Sequence, residues 1–387
     1  MRIAFVMDDL STCSNGTSLT ARRYADALRA KGHEVRLLGM AATGADTLAV
    51  DERHIPVVTP VSRACGFHFA KPDKQAVARA IDGVDVVHLF LPFALEREAL
   101  RQARAASIPV SAAFHLQPQN VTSNARMGEA PLLCAGVHRL FRAQLYDHVR
   151  HVHCPSEMIA RDLRRNGYSN ALHVISNGVP DRFTPDVHLG TVPKCTSDTA
   201  GLVHIATVGR LAPEKNQVTI IEAVRRSRHA GRIQLHIFGT GPGERALRRA
   251  GASLPNPPVI GFLSQEALVE ELRRCALYVH ASTVDIEAMS VIEAFACGCV
   301  PVIGEAPLSA PAAFALTERS LFPAKDAAAL AERLDWWIEH PEEQAAWRGR
   351  YLAEAESLRV GRCVEKFLAM EEAAIEDDRA WYERRSS

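Results

Sequence analysis

The sequence predicts an α/β protein made of two doubly wound, Rossmann-like domains. Three observations carry this. Short apolar runs alternate with amphipathic stretches, as in a parallel sheet with helices on both faces. The alternation stops at "PDVHLGTVPKCTSDTA", residues 185–200, and then restarts. The 387 residues exceed one ordinary core and suit two.

In chain order, the first half offers strands at "RIAFVM" (Arg2–Met7), "EVRLLGM", "VDVVHLF" (Val84–Phe90), "PVSAAFH" (Pro109–His115), "HVHCPS" and "LHVISNG" (Leu172–Gly178). Helices fit between them, for example Thr17–Lys31 closed by Gly32. After the aperiodic segment come "LVHIATVG", "IQLHIFG", "PVIGFL", "ALYVHAS" and "VPVIG", and beyond Lys325 only helical pattern remains. The expected division is 1–185, a linker at 186–200, 201–358, and terminal helices at 359–387 that pack back on the first domain. In such an assembly a ligand sits in a cleft at the carboxyl ends of the strands.

Formal net charge is zero, which argues against a general nucleic-acid binder. Residues 1–185 carry 22 Lys+Arg against 17 Asp+Glu, and the remainder 23 against 28, so the halves stand at +5 and −5. The nine cysteines are scattered with no CxxC pair, which disfavours a disulfide framework or zinc site and points to a reducing compartment. "MRIAFVMDD" reads as a first strand rather than a signal peptide, and no apolar run approaches the ~18–20 residues that span a bilayer. The expected location is the cytoplasm, with peripheral contact at the membrane's inner face left open.

Three strand-end segments of the second half carry candidate chemistry. In "VGRLAPEKN", Arg210 and Lys215 flank one strand-to-helix loop and suit a diphosphate, unless both are plain solvated residues and Asn216 a simple helix cap. In "FGTGPGE", Gly239, Gly241 and Gly243 let the backbone approach a neighbour closely. The spacing is GxGxG, weak by itself as a dinucleotide fingerprint, and a tight loop without ligand explains it equally. In "TVDIEAMSVIEAFACGCVPVI", Asp285, Glu287 and Glu293 crowd into nine residues ahead of an apolar strand. The amides near Ser290 and Val291 should open a helix and face a phosphate. Glu293, one turn in, can accept from ribose hydroxyls, and Asp285 on the loop can reach a sugar beyond.

These segments together resemble the nucleotide-sugar domain of glycosyltransferase family 4, retaining enzymes of the GT-B fold. "GRLAPEKN" is similar to the family's diphosphate motif, "FGTGPGE" to its glycine loop, and "DIEAMSVIEAFACGCVPVI" to its E-x7-E element. "NGTS" (Asn15–Ser18), "GHEV" and "ISNGV" extend the likeness to the first half, so it covers nearly the whole chain. "FHFAKPD", "FHLQPQN" and "HCPSEMI" look most like bacterial members of the diacylglycerol glucosyltransferase type. One departure matters. The family's first glutamate falls at Asp285, while Glu287 stands at a position usually apolar. Register favours Asp285 as the sugar-contacting acid, with Glu287 as the alternative.

The resemblance implies catalytic roles for His115, Arg210, Lys215 and Asp285, with His115 near the sugar's C6 region. It implies donor contacts from Asn15, Gly16, Gly209, Gly239, Gly241, Glu287, Ala288, Met289, Ser290, Val291 and Glu293. His88 reads better as a core residue. The activity implied is transfer of a hexose, with UDP-glucose favoured, to an acceptor hydroxyl with an α linkage. A front-face displacement is the implied mechanism: the departing phosphate takes the acceptor's proton, and no cofactor or metal is needed. The acceptor is expected to be a membrane lipid or glycan, and the helix at Pro131–Arg150, with Arg139 and Arg142 among Leu133, Val137, Leu140, Phe141 and Leu145, is a candidate lipid contact. A UDP-sugar epimerase of the same fold, or a non-catalytic nucleotide-sugar binder, fits the donor motifs too. An NAD dehydrogenase does not, because "MDDLSTCSNGTS" rather than GxGxxG follows the first strand.

Overall fold

The structure is a computed structural model. It describes the whole chain except residues 11–15, 45, 57, 65–66, 120–130, 186–200 and 387. The expected linker and Asn15 therefore lie outside the described residues. The chain divides into two compact units: Met1–Asn177 with Val360–Ser387, and Gly178–Arg359.

The first unit holds a seven-stranded parallel sheet of β1 (Arg2–Asp9), β2 (Glu34–Met40), β3 (Thr47–Val50), β4 (Val86–Leu89), β5 (Val110–Ala113), β6 (His151–Cys154) and β7 (Ala171–Val174). Their order is β3-β2-β1-β4-β5-β6-β7, which reverses between β1 and β4. Ile3, Phe5, Val86, Val110 and Val152 are buried, because helices cover both faces of the sheet. β2 matches its apolar run, β4 to β7 are shorter than theirs, and β1 continues through two acids to Asp9. The helix Gly16–Ala30 ends ahead of Gly32, whose φ of +85° closes it. Asp73 caps the helix Lys74–Ile81, and Ser156 caps Glu157–Arg165.

The C-terminal helix Val360–Ser386 is built into this first unit. Val364, Phe367 and Met370 are buried with Phe5 and Tyr24 in one cluster. The fully buried Glu371 accepts from Ser111 Oγ at 2.8 Å and lies 2.9 Å from His88 Nδ1. His88 is thus a core residue held by a buried carboxylate.

The second unit holds a parallel sheet of β8 (Val203–Val208), β9 (Ile233–Phe238), β10 (Val259–Gly261), β11 (Leu277–His280), β13 (Val300–Glu305) and β15 (Leu321–Pro323). A short pair, β12 (Val284–Asp285) with β14 (Leu308–Ser309), lies apart from it. The order β10-β9-β8-β11-β13-β15 reverses between β8 and β11. The helices Gln217–Arg226, Met289–Ala296 and Ala327–Glu339 bury Ile220, Val291, Phe295, Leu330 and Trp337 in its core. Both sheets are parallel and doubly wound, as the sequence predicts.

Candidate functional site

The carboxyl ends of β8 and β11 meet where the strand order reverses, the usual ligand position in such sheets. The loop after β8 contains Gly209 to Asn216, and the loop after β11 contains Ala281 to Ala288. Backbone and hydroxyl contacts join them: Thr283 N and Ser282 Oγ donate to Glu214 O at 2.9 and 3.2 Å. At the centre, Lys215 Nζ lies 2.5 Å from Asp285 Oδ2, and His280 Nε2 lies 3.4 Å from the same oxygen. Asp285 Oδ1 accepts from Ala288 N at 3.0 Å, where Ala288 takes a left-handed φ of +62°. Burial alone would raise the Asp285 carboxyl, but the Lys215 ammonium and His280 outweigh it and hold it far below the usual range. Burial pushes His280 down despite the carboxylate beside it, so its imidazole is neutral at pH 7.

The helix after this loop begins at Met289, and no side chain caps it. Tyr278, buried on β11, bonds Ser290 Oγ at 2.8 Å and Val208 O at 3.2 Å, which fixes the helix start against the end of β8. The expectation of open amides at both Ser290 and Val291 is corrected at Val291, whose N–H donates to Ala288 O at 2.9 Å because the first turn is tight. Glu293 is buried one turn in, Glu287 is fully buried in the loop, and Met289 and Ser290 are half-buried. Asp285 keeps a side-chain exposure of 11%. Arg210 pairs with Glu214, four residues on in the same loop.

The glycine loop has a structural cause. A Cβ on Gly239 would stand 1.9 Å from Gly209 O, and one on Gly241 2.5 Å from Leu211 O. Both residues have φ near +150°, as does Gly209. Leu211 N donates to Thr240 O and Gly243 N to Leu211 O, each at 2.8 Å. The close approach is therefore to the β8 loop, and it positions Arg210 and Lys215.

In the first unit, His115 follows β5 and is 5% exposed. Its ring stacks on Phe90 at 5.8 Å and meets His153 edge-on at 5.3 Å. Neither ring nitrogen has a hydrogen-bond partner among the described residues. Burial, then His153 and His88, push its pKa well below the ordinary value, so it is neutral. Gly16 is the exposed first residue of its helix. The candidate lipid-contact helix stops at Gln144, short of Arg150, because a 3-10 turn at Tyr146–His148 leads into β6. Its buried side is Cys134, His138 and Phe141, while Leu132 and Leu140 are 86% and 50% exposed.

Sequence reasoning missed Tyr278, His280 and Ser282. The two strand residues alternate along "ALYVHAS", the period that puts both on one face, and this was the available signal. Among the described residues no group of three or more His, Cys, Asp or Glu is placed to hold a metal, and six free cysteines are buried.

Residues 14–183 match the family model described as Glycosyltransferase Family 4, and residues 201–350 the model described as Glycosyl transferases group 1. Both halves of the chain thus match glycosyltransferase family models. The chain is 26% identical over 316 residues to a GDP-mannose-dependent alpha-mannosyltransferase of Corynebacterium glutamicum, covering 79% of this chain and 72% of that protein. It is 27% identical over 318 residues to one of Mycolicibacterium smegmatis, covering 78% and 79%. Among solved structures, sucrose-phosphate synthase from Thermosynechococcus elongatus superposes with a TM-score of 0.75 at 16% identity, covering 97% of this chain and 99% of that one. HepE of Anabaena in complex with UDP superposes with a TM-score of 0.72 at 16% identity, covering 96% and 100%.

Proposed function

We propose that this protein is a retaining hexosyltransferase that moves a sugar from a nucleoside-diphosphate donor to an acceptor hydroxyl. The observation that carries this reading is the Lys215–Asp285–His280 cluster at the strand-order reversal, beside the uncapped helix start at Met289. The ammonium and the helix dipole supply positive charge for a departing diphosphate. Glu293 accepts from the ribose, and Asp285 from the sugar, with Glu287 as the alternative acid. Asp285 is preferred because its carboxylate remains partly accessible, whereas Glu287 is fully buried. Asn15, Gly16 and His115 complete the donor contacts on the family pattern. In the reaction the anomeric carbon–phosphate bond breaks, the bond to the acceptor oxygen forms, and the acceptor's proton passes to the leaving diphosphate.

UDP-glucose is the donor favoured by the sequence motifs. GDP-mannose is a second reading, favoured by the two mannosyltransferase relatives. The proposed acceptor is a lipid or glycan hydroxyl, on a protein held in the cytoplasm at the inner face of the membrane. No helix among the described residues is long and apolar enough to cross a bilayer, so a lipid acceptor would be met from the surface.

The test is nucleotide release from UDP-glucose and GDP-mannose, with lipid and soluble acceptors, in wild type and variants. Lys215→Ala should lower transfer by a factor on the order of 10²–10³. Glu293→Ala should weaken UDP or GDP binding, while Asp285→Ala spares the nucleotide and blurs sugar selectivity. Near wild-type transfer by folded Lys215→Ala would remove the site. Donor consumption without any acceptor would instead support an epimerase.

A further inference from the structure

Lys215 and Asp285 hold each other in the structure, yet the proposed reaction needs both for a donor. Lys215 Nζ lies 2.5 Å from Asp285 Oδ2, and Ala288 N donates to the other carboxylate oxygen at 3.0 Å. An ammonium that grips a diphosphate has to leave Oδ2. The Asp285 side chain is only 11% exposed, so losing the ammonium would leave a buried charge uncompensated, which is strongly unfavourable. A second group stands at the same oxygen: His280 Nε2, at 3.4 Å.

His280 is the fixed partner and Lys215 the movable one. His280 ends β11, an inner strand between β8 and β13, pairs with Ile303 and is 4% exposed. Lys215 ends a short 3-10 turn and reaches Asp285 on a flexible stem, with 24% of its side chain exposed. The 3.4 Å contact is longer than a good N–H···O bond, and His280 Nε2 makes no full hydrogen bond among the described residues. The ring is therefore in place with bonding capacity to spare. The charged groups that act on it are Asp285 from β12 and Lys215 from the loop after β8. Tyr278, two residues back on β11, and Glu293, on the following helix, are the other titratable groups at this strand end. Burial keeps the imidazole neutral, the carboxylate opposes this, and the ammonium adds to it. A diphosphate that draws the ammonium away removes that last influence and leaves the carboxylate's in force. We propose that His280 is a positioning residue that takes over Asp285 Oδ2 when a nucleotide sugar draws Lys215 to its diphosphate, so that donor binding carries a proton onto the His280 ring. Asp285 then stays ionised and in place, with its accessible edge free to accept from the sugar. The inference rests on the donor reading of this site.

Calorimetric titration with UDP-glucose and GDP-mannose, whose diphosphates do not titrate near pH 7, tests it. Comparing two buffers of different ionisation enthalpy reads the protons taken up. Wild type should take up a fraction of one proton per bound donor, larger at about pH 6 than at about pH 7. His280→Gln, which offers a neutral N–H donor, should bind the donor within about threefold of wild type and take up no proton. His280→Phe, which offers Asp285 nothing, should bind it more weakly by on the order of tenfold and also lose the uptake. The partner exchange has a readout without donor as well. In Lys215→Met the His280 ring, assigned in NMR spectra by difference against His280→Gln, should titrate at higher pH than in wild type. Donor binding without proton uptake, equal uptake in wild type and His280→Gln, or an unchanged His280 titration in Lys215→Met would overturn the proposal. Should His280→Phe fail to fold, the Gln and Met variants still decide. If neither nucleotide sugar binds while the His280 titration moves as expected, the donor reading fails and the exchange between Lys215 and His280 stands.

Discussion

Buried carboxylates at two strand ends titrate in opposite directions, and the difference is in their neighbours. Asp285 is held ionised by an ammonium at 2.5 Å, so it contributes stability above the unfolded carboxylate pKa and loses it in acid. Asp8 is pushed up to about 6 by burial, with Asp9 adding to the rise and hydrogen bonds from Glu96 and Ala70 and the charge of Arg53 opposing it. Its native form binds more protons than the unfolded chain, so the Asp8–Glu96 pair costs stability as pH rises from about 4 upward. Glu96→Gln should therefore gain stability over wild type progressively between pH 4.5 and 7.5, by at most about 1.4 kcal/mol per pH unit for each proton retained. Urea unfolding at several pH values checks this, and a pH-independent gap between the proteins would refute it. Sequence reading saw the acids of the Asp285 loop but not their partner geometry. Lys215 lies 70 residues earlier, and only the parallel pairing of β8 with β11 brings the two together. The Asp8–Glu96 pair escaped for the same reason: an acid on a helix signals exposure until the strand beside it is known.

Strands and helices were legible wherever several apolar residues shared a period, and poorly legible where an element is short. β3, β12, β14 and β15 have two to four residues each and carry no period of their own; β15 also contains Pro323, tolerable on an edge strand. The glycine loop shows a second limit. Its sequence says that backbones approach closely, but not what they approach. The structure answers that Gly239 and Gly241 touch the loop after β8, so their contribution to the candidate site is to fix Lys215 and Arg210. Gly239→Ala places a Cβ against Gly209 O at a φ that disfavours side chains, and should cost about 1–3 kcal/mol while displacing the donor loop. Gly231→Ala, with open space around its Cβ, is the matched control. Thermal unfolding and UDP binding should both suffer in the first variant and neither in the second. A Gly239→Ala protein as stable as wild type would show that the loops can separate freely.

The unequal charge of the two halves has its functional test at the level of the whole molecule. Residues 1–185 carry the excess of +5, and the helix Pro131–Gln144 belongs to that half. The sequence suggested that Arg139 and Arg142 together face an anionic lipid surface. Arg142 is instead occupied: its guanidinium bonds Asp147 at 3.0 Å and sits 5.7 Å from the Tyr168 ring centre. Reversing its charge would disturb the fold and confuse the experiment. Arg139 is exposed, and Leu132 and Leu140 stand out from the same helix with no apolar cover among the described residues. Exposed leucines with an arginine between them suit shallow insertion plus charge attraction. Wild type should co-sediment with vesicles rich in anionic lipid better than with neutral ones, and the preference should shrink as salt shortens the screening length. Arg139→Glu should lower binding mainly on anionic vesicles. Leu132→Ser with Leu140→Ser should lower it on both kinds, because insertion does not depend on headgroup charge. UDP binding should stay constant throughout, since Arg139, Leu132 and Leu140 are not among the proposed donor contacts. Equal indifference to both vesicle types, with full transfer to a soluble acceptor, would remove the membrane from the mechanism and leave the exposed leucines to a protein partner.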